Sequence, residues 1–98
     1  MQSKRIGETK LKILAIIHHN NIYHGYGIWT QLKDKFHCYL DGKSLRNVYH
    51  HLHDLKKLGL IKNNSSQNNI NAPQNLQYEL TDEGRSLKDK FNLYLKFL

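Results

Sequence analysis

Arg46, His50, His53 and Lys57 recur at intervals of four, three and four residues within SLRNVYHHLHDLKKLGLI, residues 44–61. At about 100° per residue, those intervals put them, together with Lys43, on one side of a helix. The side chains are donors, and the guanidinium of Arg46 is a planar fork. That fork matches a phosphate, or the two acceptors on the major-groove edge of guanine. Asn47 carries a donor and an acceptor side by side, the pairing that adenine presents. The chemistry on offer is recognition of DNA in the major groove. Arg46 and Asn47 either read bases or hold phosphates, and a phosphate contact positions a protein without specifying a sequence.

Other chemistries fit the residues poorly. His50 and His53 share a face, and His18, His19 and His24 lie close together in the chain. Zinc and nickel take imidazole ligands, but a structural site needs four converging donors, and no Cys or carboxylate joins these at tight spacing. No metal and no cofactor is expected. The ordinary role for such histidines is donation to phosphate or base, with a weak pH dependence of binding. The single cysteine, Cys38, cannot form an internal disulfide, as suits a cytosolic protein, and reads as a half-buried bystander. No phosphate-cradling glycine loop and no nucleophile–base pair is present, so an enzyme is not expected.

The charge balance supports a polyanionic partner. The chain of 98 residues carries a formal net charge of +7. Residues 1–62 hold 11 Lys/Arg and 4 Asp/Glu, while residues 63–98 hold 4 of each. All seven histidines also fall in the first part. A basic body joined to a neutral end suggests one DNA-facing side. Lys10, Lys12, Lys33, Lys35, Lys43 and Lys57 are candidate phosphate contacts, and Lys62 is placed to steady a hairpin base. There is no apolar run of membrane length and no signal-peptide pattern after MQSKRIGETK.

These side chains need a scaffold, and its elements can be read in order. Residues 1–8 read as a short basic arm, and residues 9–80 as one domain. A first helix runs from Thr9 to about His19, with Leu11, Leu14 and Ile17 on an apolar face, and stops at Asn20-Asn21. Ile22-Tyr23 reads as extended. HGYGI at 24–28 opens a second helix, with Ile28, Leu32 and Phe36 on one face, and HCYLDGK links it to the third, with Leu40 as a plug. Ser44 caps that helix, Leu45, Val48, Leu52 and Leu55 form its buried stripe, and Gly59 ends it. Leu60-Ile61 leaves as a strand. An uncharged stretch rich in Asn, Gln and Ser follows, and then Leu76, Tyr78 and Leu80 alternate as a second strand. Thr81 caps a last helix over 81–98, whose Leu87, Phe91, Tyr94, Leu95 and Leu98 line one side. Because residues 1–80 supply three helices and a hairpin able to close a core, that last apolar face is assigned to a second copy of the chain. The expected class is a helix-rich α+β fold, a winged helix-turn-helix with a C-terminal dimerisation helix.

Three stretches resemble the PadR family of transcriptional regulators: HGYGI at 24–28, VYHHLHDLKKLGLI at 48–61 and YELTDEGRSLK at 78–88. They stand in the family's order and span most of residues 9–95. The resemblance implies a homodimer joined through the C-terminal helix, binding a two-fold operator on double-stranded DNA and repressing transcription. It puts Tyr26 and Tyr49 where helices pack and approach the phosphate backbone. Ser44, Arg46, Asn47 and His50 fall on the DNA-facing start of the recognition helix. Two features depart from the pattern: APQNLQ is uncharged where the family's wing carries Arg or Lys, and HHLH stands where small residues are common. With one C-terminal helix the chain resembles the short members, which lack an effector-binding extension. Two other functions fit a small basic winged helix: an architectural protein that coats DNA without sequence preference, and a protein-interaction module that does not bind DNA.

Overall fold

The computed structural model describes residues 7–21, 23–37, 44–64 and 77–98, without the side chains of Ser44 and Asn64. The expectations for residues 1–6, Ile22, Cys38, Leu40, Asp41, Gly42, Lys43, Leu76 and the stretch 65–76 lie outside the described residues.

Helix α1 spans Glu8–Asn20, so Glu8 belongs to the helix rather than to the arm. Its carboxylate sits at the positive end of the helix dipole and pairs with Lys12 one turn on, at 2.9 Å. Ile13, Leu14, Ala15, Ile16 and Ile17 are all fully buried, because α1 is covered on several sides. Asn21 ends it in a left-sided conformation, with φ of 74°. Strand β1 (Tyr23–His24) and helix α2 (Gly25–Phe36) follow, and then α3 (Ser44–Lys57). Val48, Leu52 and Leu55 anchor α3 in the core, as their spacing predicts. The helix stops where Gly59 N–H donates to Lys56 O and Leu60 N–H to Leu55 O, with Gly59 at φ 79°. Those paired bonds need a left-handed residue, which glycine adopts without a Cβ clash.

Strands β2 (Ile61–Asn64) and β3 (Gln77–Leu80) pair antiparallel in the register Ile61↔Leu80 to Asn64↔Gln77. The expected two-stranded hairpin is in fact three-stranded. β1 pairs with the other edge of β3 through Tyr23↔Tyr78 and His24↔Gln77, giving the order β1-β3-β2. Tyr78 and Leu80 face inward, as the alternation requires.

The C-terminal end departs most from expectation. In place of one helix there are two, α4 (Asp82–Arg85) and α5 (Lys88–Leu95). Thr81 does cap the first, its Oγ1 accepting from Gly84 N–H at 3.0 Å and donating to Gly59 O at 2.6 Å. The break falls where Ser86 Oγ donates to Glu83 O and Leu87 N–H reaches only three residues back, to Gly84 O. Gly84 is required at this corner, because a Cβ there would collide with the Leu60 carbonyl. The bend lays α5 against α1. Phe91 is fully buried, its ring 5.6 Å from that of His18. Residues 1–80 therefore do not close the core by themselves. α1 is apolar nearly all round, and α5 covers the side that α2 and the sheet leave open.

Candidate nucleic-acid interface

The motif HGYGI is the hinge on which the candidate interface is hung. His24 accepts from Gly27 N–H through Nδ1 at 2.8 Å and so caps α2. Gly25 leaves room for the ring of Tyr49, which a Cβ at that position would strike. The two helices can therefore approach closely at the start of α2. Tyr26 projects outward, 53 % exposed, with its ring 5.4 Å from that of Trp29.

On α3, Arg46, Asn47, His50, His53 and Lys57 are all exposed, while Val48, Leu52 and Leu55 are buried on the opposite side. The expected donor stripe is thus brought together on one outward face. Tyr49 is half-buried, and burial pushes its hydroxyl pKa up. Ser44 is the first residue of α3, its side chain outside the description. Lys62 is exposed on β2, opposite Glu79.

Several lysines counted by charge alone have work inside the chain. Lys10 Nζ contacts His51 Nδ1 at 3.0 Å and Asp54 at 3.5 Å, tying α1 to the inner flank of α3. Lys12 pairs with Glu8 and lies over the rings of Phe36 and Tyr94. Lys33 stacks over Trp29 at 4.6 Å. The expectation that Lys10 and Lys12 reach outward to phosphate is corrected on these grounds, for their ammonium groups hold helices together. A charge count carries no direction, which is why the sequence did not separate them from Lys57.

His51 differs from its neighbours His50 and His53. It faces inward, and its pKa is lowered by burial first and by Lys10 second, with His50 adding to this and Asp54 opposing it. His18 is lowered in the same way by burial, then by Lys88, His19 and Arg85. Among the described residues no three His, Cys, Asp or Glu side chains converge as metal ligands. No described helix is long and apolar enough to cross a membrane.

At the other end of the molecule, the residues assigned to dimerisation divide. Phe91 is interior, Leu87, Tyr94, Leu95 and Leu98 are partly buried against the core, and Leu93 and Phe97 stand 54 % and 49 % exposed. Leu93 and Phe97 lie on the opposite side of the segment from Phe91, and were passed over because the stronger apolar stripe, taken for the seam, is the face that packs on the core.

The family model of the transcriptional regulator PadR-like family matches residues 13–90, from the middle of α1 into α5. Nothing matched among curated proteins or among solved structures. The matched span takes in the capped α2, the donor-faced α3, the three-stranded sheet and the α4 corner, an arrangement consistent with the winged helix of that family. The chain belongs to the PadR-like family of DNA-binding transcriptional regulators, a family of regulators and not of enzymes.

Proposed function

We propose that the protein is a sequence-specific repressor that binds a two-fold operator as a homodimer, with α3 in the major groove. The observation that carries this is the outward stripe of Arg46, Asn47, His50, His53 and Lys57 on a helix whose other face is locked in the core. A helix fixed on one side and donor-rich on the other suits a groove about 12 Å wide. Arg46 and Asn47 read base edges, and Lys57, Lys43 and Lys62 hold phosphate. Tyr26 and Tyr49 approach the backbone beside the start of α3, where Ser44 lies. The protein works in the cytoplasm, on the nucleoid, and needs no cofactor.

The dimer forms through the outer face of α5, where Leu93 and Phe97 are exposed beside the half-buried Leu87, Tyr94, Leu95 and Leu98. Phe91 serves the protomer's own core and supports the seam from beneath.

Fluorescence-anisotropy titration of DNA from upstream of its own gene, against scrambled DNA of equal length, tests the reading. A preference of ~10³-fold or more is expected. Equal binding with a steep salt dependence would make the protein an architectural DNA binder. No binding to either duplex at low salt would make it a protein-interaction module.

A further inference from the structure

Asn63 stands on β2 with both ends of its amide in use. Oδ1 accepts from Lys56 Nζ, in the last turn of α3, at 2.6 Å. Nδ2 donates across the ladder to Gln77 O at a long 3.5 Å. Tyr78 is the residue directly opposite Asn63 in the register. Tyr78 is itself buried, and that burial first, with Tyr49 of α3 second, pushes its hydroxyl pKa up. One hydrogen-bonded connection therefore runs from α3 into the sheet, from Lys56 to Asn63, and Asn63 carries it on to β3 through Gln77 O.

An amide is what this position needs. Aspartate would keep the bond to Lys56 but lose both donors, and leucine would lose everything. Lys56 meanwhile sits beside Lys57, and charge alone would count both as phosphate anchors. Its ammonium is turned instead toward a neutral amide on the strand.

We propose that Asn63 is a positioning residue for DNA recognition, binding the base of the hairpin to the last turn of α3 through Lys56, so that helix and hairpin meet the duplex as one body. Lys56 is a strut and Lys57 the phosphate anchor. The inference rests on the placing of α3 in the major groove.

The test uses the full chain and two duplexes, one selected by the wild-type protein from a random pool and one unselected. Lys56→Met should leave the salt dependence on unselected duplex unchanged, whereas Lys57→Met should lower its slope by about one. Lys56→Met and Asn63→Leu should each cut the preference for selected duplex roughly fivefold, the equivalent of one lost hydrogen bond. The double variant should be no worse than either single one, since both remove the same tie. Asn63→Asp should keep the Lys56 tie and recover part of the preference. A merely structural role would lower the thermal midpoint and leave the preference intact, and that result overturns the proposal. So does a slope for Lys56→Met that falls as it does for Lys57→Met, or additive losses in the double variant. If selection yields no preferred sequence, the sequence-specific reading fails while the two slopes still decide the role of Lys56. Absence of binding to any duplex overturns both.

Discussion

Lys10 Nζ lies 3.0 Å from His51 Nδ1, and this contact joins α1 to α3. An ammonium has only donors, so His51 Nδ1 must accept, and its imidazole is neutral with the proton on Nε2. Protonation would place a second cation against Lys10, with Asp54 alone in partial compensation.

Stability should therefore fall on acidification. The pKa of His51 is lowered from 6.5, so the unfolded chain takes up a proton before the folded one does. The contribution is fully present above pH 6.5, erodes as pH falls below that value, and is gone beneath the lowered folded pKa. His18 acts in the same direction. Urea midpoints measured from pH 8 down to pH 5 should decline, and His51→Gln should flatten part of the decline while leaving the share of His18. A midpoint that rises on acidification would contradict the Lys10–His51 geometry.

Phe91 and Phe97 sit six residues apart on the C-terminal segment and should behave as opposites. Phe91→Ala empties a fully buried site and should cost about 3–5 kcal/mol in denaturant unfolding. Phe97→Asp, at a half-exposed position whose ring meets the edge of Phe36 at 5.6 Å, should cost the protomer far less than Phe91→Ala and yield monomers by light scattering. A dimeric Phe97→Asp protein would remove the outer face of α5 as the seam.

Arg46→Ala and Lys57→Ala separate reading from anchoring. The first should relax one base position by about 1–3 kcal/mol of discrimination. The second should weaken all sequences alike. Binding measured against single-base variants of a selected site distinguishes them. Equal losses on selected and random DNA for both proteins would show that Arg46 touches only phosphate.

Gly84→Ala pushes a methyl group into the Leu60 carbonyl, backbone that cannot swing aside. A loss of about 1–3 kcal/mol is expected, the usual size for overpacking. Thr81→Ala at the same corner removes one cap and one bond to Gly59 O, and should cost about 1 kcal/mol. Equilibrium unfolding of the two variants gives the order directly.

Local signals carried much of the fold. The 3.6-residue spacing of Val48, Leu52 and Leu55 fixes which side of α3 is buried, and hence which side Arg46, His50, His53 and Lys57 present. The stops at Asn21 and Gly59, and the cap at Thr81, depend on residues adjacent in the chain, so they were legible without any tertiary contact. The tertiary structure decided whatever depends on partners far away in sequence. Tyr23 reads as extended in the sequence, but its pairing as β1 depends on the open edge that β3 offers. Phe91 entered the core because α1 is apolar nearly all round and needed a further cover, a demand that the periodicity of α5 alone cannot express. Lys10, Lys12 and Lys56 look like Lys57 in a sequence. Only the packing of α1 on α2, α3 and α5, and of β2 beside α3, brought their ammonium groups onto His51, an aromatic pair and Asn63.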